Sequence, residues 1–285
     1  MKKIPALGYG IILISFSGYA GVMRHDINVQ EYRDFAENMG KYRVGLSNIP
    51  IFKKDGELSG YLDFAMPDLS SVSRRGFATL INPSYVTTTR HVTALGSVSF
   101  GGPSAYSSRY LFINRNQSAV QDNILPRLNK VVTEVAPIDY VERNELQKGH
   151  GSRYIAYVRA GAGEMTQVTN DLTEKEFLAS AYKWLAGGTI NIDTITFNKE
   201  KNDDFYWIQY EPGHQYSSAL SISTGGGDSG SPIYVYDNVD KKWKLAGVHY
   251  GGYGSATPYG RKVISTRFNE EYFNGIIANN ISRCH

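Results

Sequence analysis

Eight residues constrain this chain more than any other stretch: Gly225-Gly226-Gly227-Asp228-Ser229-Gly230-Ser231-Pro232, followed at once by the apolar run Ile233-Tyr234-Val235-Tyr236. Glycines at 225, 226, 227 and 230 open backbone conformations closed to other residues, so a tight turn should lead into a strand here. One serine sits inside that turn. A serine hydroxyl is a weak nucleophile at neutral pH, and it needs an adjacent base and N–H donors for the oxyanion it generates. The glycines would let the N–H groups of Gly227 and Ser229 point at one spot. The octapeptide therefore predicts an activated serine. A plain glycine-rich hairpin loop is the competing reading, since short motifs also recur by chance.

The surrounding sequence favours β structure. The chain has 285 residues, enough for a single large β domain. It carries 21 tyrosines, many glycines and short β-branched runs. Predicted strands lie at Gly76–Ile81, Tyr85–Thr89, Lys130–Ala136 and Tyr154–Arg159, with the apolar run Tyr110–Ile113 inside a polar, loop-like stretch from Gly101 to Gln121. A second group lies at Thr189–Phe197, Phe205–Glu211, Pro232–Tyr236 and Trp243–Tyr250. Two groups of about six short strands fit an all-β fold of two packed antiparallel barrels, with Gly161–Thr173 as the connection between them. Helical spacing predicts two short helices. One covers Asn28–Asn38, with Asn28 as its cap. The other covers Asn269–Asn279, where Tyr272, Phe273, Ile276 and Ile277 share one stripe.

Met1-Lys2-Lys3, the apolar Ile4–Ser17 and the small residues at Gly18-Tyr19-Ala20 read as a secretory signal, predicting residues 1–20 as leader and a mature chain from Gly21. The domain organisation expected is 1–20 leader, 21–279 one domain and 280–285 an unstructured tail. No later segment has about 18 consecutive apolar residues, so no helical membrane span is expected after cleavage. Cys284 is the single cysteine, so no intrachain disulfide can form. An exported chain nearly free of cysteine suits a secreted or periplasmic protein of a bacterial envelope. The formal net charge is +3 and no basic patch stands out in the sequence, which argues against a nucleic-acid partner.

A base and an orienting acid must accompany the serine, and geometry rather than adjacency defines them. Of the six histidines, His25 and His285 lie near the ends, His150 and His214 in polar stretches, and His249 follows a strand. His91 stands at the end of the strand Tyr85–Thr89, where a side chain can aim into a cleft. For the acid, Asp122 leads directly into the apolar run Ile124-Leu125, which can draw it under a barrel rim to accept an imidazole N–H. Asp139, Asp171 and Asp193 remain open by chain order.

Gly227-Asp228-Ser229-Gly230-Ser231-Pro232 with Tyr234-Val235-Tyr236-Asp237 resembles the serine site of the immunoglobulin A protease and serine protease autotransporter family of Gram-negative bacteria. Tyr32–Asn38 is similar to its mature N-terminal helix, Ala78–Val86 followed by His91 to its histidine segment, and Asp122 through Pro126–Pro137 to its aspartate segment. Ala181–Thr189 is similar to a further family stretch. Five motifs in order, over about residues 22–250, are more specific than any one. The resemblance implies a trypsin-like double β-barrel and a Ser-His-Asp triad of His91, Asp122 and Ser229. The oxyanion donors would be Gly227 and Ser229, and no metal or cofactor would be required. It implies a secreted serine endopeptidase that cleaves host or extracellular proteins through an acyl-enzyme, working as a monomer.

Family members also carry a stalk and a membrane barrel beyond the protease domain, and this chain is expected to represent a free-standing protease domain. The alternative readings are a truncated fragment of a longer autotransporter and a catalytically silent adhesin or binding module. In chymotrypsin-like proteases the floor of the specificity pocket lies about six residues before the serine, here Ser223, with a wall from the strand around Val248–Gly251. Ser223, His249 and Tyr250 are therefore the candidate pocket residues. None is acidic, so trypsin-like selection of arginine or lysine is not expected.

Overall fold

Among the described residues, short β-branched and aromatic runs form strands because their side chains find cores on the faces of two large antiparallel sheets. The computed structural model describes residues 21–93, 95–101, 108–118, 122–141, 145–162, 165–168, 175–178, 185–190, 192, 196–198, 204–207, 218–224, 227–252 and 263–267. The expected leader over 1–20, the C-terminal helix at Asn269–Asn279, the tail 280–285 and Cys284 lie outside the described residues. Among the described residues no helix is long and apolar enough to cross a membrane.

The first sheet has six strands. Its main path runs in the order Thr79–Asn82, Tyr85–Thr89, Arg127–Leu128, Tyr110–Asn114 and Ser97–Val98, and Asn123–Ile124 pairs the far end of Tyr85–Thr89. Its core holds Leu80, Val86, Val98, Phe100, Tyr110 and Leu128. The second sheet has seven strands, in the order Ala186–Ile190, Tyr154–Gly161, Pro232–Asp237, Lys242–Gly252, Val263–Arg267, Asp204–Trp207 and Thr196–Asn198. A separate core of Tyr154, Tyr157, Ile190, Ile233, Val235 and Ala246 covers one face of it. Every neighbouring pair in both sheets is antiparallel.

The other face of the second sheet meets a larger cluster that takes in Val158, Ala160, Tyr234 and Leu245 together with the N-terminal helix. That helix, Val29–Ala36, starts where expected: the Asn28 side chain accepts from the N–H of Gln30 at 2.9 Å. It buries Tyr32 and Phe35 completely, each contributing roughly 1.5–3 kcal/mol relative to exposure. It ends at Ala36 with Glu37 as its cap, and the next residue, Asn38, takes the left-handed φ of 53° that turns the chain away. A hairpin of Ile49–Phe52 and Leu58–Leu62 follows. A small sheet then joins Lys175–Leu178, Met165–Val168, Val22–Met23 and Ile222–Ser223.

The chain is thus mostly β with few helices, as expected. Closure is the point of difference: among the described residues the outermost strands of neither sheet pair with each other. Two further expectations are corrected. Lys130–Ala136 forms no strand; the pairing stops at Arg127–Leu128. Its β-branched residues instead trace a surface path, with Val131 exposed and Val132 tucked into the first core. Gly161–Thr173 is not the link between the two sheets. Tyr154–Gly161 already pairs with Pro232–Asp237, so the crossing between sheets is made earlier, over residues 129–153. A five-residue helix, Glu145–Gly149, lies in that crossing and had no clear signal in the sequence.

Candidate active site

The strand Tyr85–Thr89 is buried along its whole length, so its β-branched Thr87, Thr88 and Thr89 are held on both faces. It releases the chain at Arg90 and presents His91 half-exposed. The neighbouring strand pairs Thr88 with Ile124 and Thr89 with Asn123 in antiparallel register. One step beyond that ladder, Asp122 must lie beside Arg90 and His91. The N–H of Arg90 donates to the Asp122 carbonyl at 3.1 Å, and the His91 N–H reaches the Asp122 carboxylate at 3.3 Å. The imidazole Nδ1 is 2.5 Å from Asp122 Oδ2.

Ser229 arrives from the second sheet. The turn before Pro232–Asp237 is pinned on three sides. The N–H of Gly230 donates to the His249 carbonyl at 2.8 Å, the His249 N–H donates to the Ser231 carbonyl at 2.8 Å, and Ser231 N–H closes the turn on the Asp228 carbonyl at 2.9 Å. Gly227 and Gly230 adopt φ values of 90° and 87°, where only glycine is unstrained. The result brings Ser229 Oγ to 2.6 Å from His91 Nε2. Serine, histidine and aspartate therefore form one chain of hydrogen bonds across the gap between the sheets. Among the described residues no backbone carbonyl outside the strands accepts from the N–H of Gly227 or of Ser229.

Of the other acids left open by chain order, Asp139 pairs with Lys242 at 2.6 Å on the surface, and Asp171 and Asp193 lie outside the described residues. His150 bonds the Tyr157 hydroxyl through Nδ1 at 2.8 Å on the second sheet, away from the serine. Ser223 is fully buried in its short strand, and His249 is buried within Lys242–Gly252. Tyr250 is in the same strand, and its side chain lies outside the described residues. Among the described residues no three His, Cys, Asp or Glu side chains are arranged to hold a metal ion.

These geometries sit on a sequence with known kin. The family model described as immunoglobulin A1 protease matches residues 20–269. The chain belongs to the immunoglobulin A1 protease family. It is a family of serine-type peptidases. Serine protease EatA of Escherichia coli is 36% identical over 259 residues, covering 85% of this chain and 18% of that protein. Serine protease SepA autotransporter of Shigella flexneri is 33% identical over 253 residues, again 85% of this chain and 18% of the relative. Among solved structures, the Haemophilus influenzae Hap adhesin superposes with a TM-score of 0.74 at 29% identity, over 88% of this chain and 27% of that one. The chain thus spans less than a fifth of the length of these curated relatives.

Sequence reasoning missed one part of the site. Asp228, which precedes the serine, is 1% exposed and ion-paired at 2.6 Å to Arg159, itself 1% exposed. The N–H of Gly21 donates to the other Asp228 oxygen at 2.7 Å. A signal existed: Arg159 interrupts the apolar run Tyr157-Val158-Arg159-Ala160 in mid-strand, and a charge there needs a buried partner.

Proposed function

We propose that this chain is the peptide-cleaving domain of a secreted serine endopeptidase, with Ser229 as nucleophile, His91 as base and Asp122 as the acid that orients it. The observation that carries the reading is the unbroken hydrogen-bond chain from Asp122 through His91 to Ser229. Ser229 Oγ attacks the peptide carbonyl carbon while its proton passes to His91 Nε2. Asp122 stays ionised, accepts the Nδ1–H and so keeps Nε2 free to accept. The N–H groups of Gly227 and Ser229 bind the oxyanion. His91 then gives its proton to the leaving amine. Water repeats the sequence on the acyl-enzyme, releasing the acid and restoring the serine.

The two sheets, each with its own core and the serine–histidine contact between them, support a trypsin-like two-barrel arrangement in open form. Protein is the substrate class, with Ser223, His249 and Tyr250 near the specificity pocket. Residues 1–20 act as an export leader, 21–279 as the protease domain and 280–285 as a tail. The domain works as a monomer on protein substrates, secreted or periplasmic in a Gram-negative bacterium.

The test is labelling by a serine-directed fluorophosphonate. The exported wild type should take the label, Ser229→Ala should abolish it without loss of the circular dichroism spectrum, and N-terminal sequencing of the labelled protein should begin at Gly21. A second reading, a silent adhesion module, is favoured by relatives named as adhesion and penetration protein autotransporters of Haemophilus influenzae, 33% identical over 249 residues in one case. A folded wild type that takes no label at pH 8 would select it.

A further inference from the structure

We infer that Arg159 is a positioning residue for this reaction, holding the oxyanion turn and the buried strand beneath it in register; the inference rests on the serine-peptidase reading above. One guanidinium touches three points around the nucleophile. Its Nη2 lies 2.6 Å from Asp228 Oδ1 and donates to the Ser231 hydroxyl at 3.3 Å, and its Nη1 donates to the Ser223 carbonyl at 3.2 Å. Asp228 stands between the two residues whose N–H groups serve the oxyanion, so any displacement of its carboxylate turns both donors. Ser231 anchors the far side of the same turn, and Ser223 belongs to the strand Ile222–Ser223.

The fold makes room for this contact. Gly161 lies two residues along the same strand, and a Cβ placed there would come within 2.2 Å of Arg159 Nη2 and 2.4 Å of Asp228 Oδ1. Stability alone gives a poor reason for such an arrangement. Apolar side chains of equal volume often replace a buried ion pair without loss, because desolvating two charges consumes most of their attraction. Register is what an apolar replacement could not supply. The planar guanidinium fixes several acceptors at set angles, whereas an ammonium offers one point charge. The N–H of Gly21 holds the second Asp228 oxygen, so both carboxylate oxygens are engaged, one by Gly21 and the other by Arg159.

The experiment compares fluorophosphonate labelling of the full chain as wild type, Arg159→Ala and Arg159→Lys, with and without added guanidinium chloride at concentrations below those that unfold the protein. Arg159→Ala should lower the labelling rate constant by about 100-fold or more, the scale of losing an oxyanion donor, with probe affinity little changed. Added guanidinium and the Arg159→Lys variant should each restore part of the rate. A folded Arg159→Ala protein that labels at the wild-type rate overturns the inference. So does a loss that neither guanidinium nor lysine recovers in folded protein, since that marks a purely structural role. If Arg159→Ala does not fold, Arg159→Lys decides: a folded protein with an unchanged melting temperature and a reduced labelling rate supports the inference, and a wild-type rate overturns it. A wild type that takes no label at all refutes the peptidase reading instead.

Discussion

In the proposed mechanism His91 accepts a proton only while its Nδ1 carries the hydrogen, and the contact of Nδ1 with Asp122 favours that tautomer. In Asp122→Asn the side-chain amide can donate to Nδ1, which moves the imidazole hydrogen to Nε2 and blocks transfer from Ser229. The labelling rate should fall by about 10⁴-fold at neutral pH with no change in thermal melting. A rate within tenfold of wild type would mean that another group orients the base. Both residues were legible as types in the sequence. Thr87-Thr88-Thr89 marked a strand with His91 at its end, and the apolar Ile124-Leu125 marked Asp122. The choice of Asp122 over Asp139 was not decidable by chain order. The antiparallel register of Thr89 with Asn123 decides it by setting Asp122 against His91, while Asp139 goes to a surface pair with Lys242.

The hairpin of Pro232–Asp237 and Lys242–Gly252 has the turn that holds Ser229 at one end and a charge cluster at the other. Asp237 is fully buried. Burial works to raise its carboxyl, but hydrogen bonds from Arg153 and Lys244 and from the N–H groups of Asp240 and Val239 overcome it and hold the group well below the ordinary carboxylate range. A depressed carboxyl contributes stability that is fully present above its unfolded value of about 3.9 and is lost as pH falls toward the folded value. Asp237→Asn should therefore cost about 2 kcal/mol at pH 7, where charged donors lose their partner. The gap between variant and wild type should narrow below about pH 4. Urea unfolding at pH 7 and pH 3 measures both, and equal stability at pH 7 would rule the account out. The strands of this hairpin were readable from alternating aromatic and β-branched residues. Its charge cluster was not, because Arg153 is far from Asp237 in sequence.

The two sheets meet at the active site, and the contact leaves no room for a side chain at Gly230. A Cβ there would stand 2.2 Å from the Phe77 carbonyl oxygen and 2.4 Å from Thr88 Oγ1, both from the first half of the molecule. Its φ of 87° adds strain for any other residue. Gly230→Ala should cost about 2 kcal/mol of stability and push the serine away from His91. Labelling should then be largely lost while the far-UV spectrum is kept, and wild-type labelling would show that the sheets can part without harm. The sequence alone determined the β class, the capped N-terminal helix and the glycine-flanked turn around Ser229, because periodicity, capping and glycine-flanked turns are local properties of the backbone. Sheet order, the early crossing over residues 129–153 and the open edges were left to the tertiary structure, since Lys130–Ala136 reads as a strand until no neighbour comes to pair with it. The clamp of Arg159 and Gly21 on Asp228 was likewise decided there. Three residues separated by up to 207 positions share one buried site only after the sheets have packed, and the cost of burying a charge then selects which partners must meet.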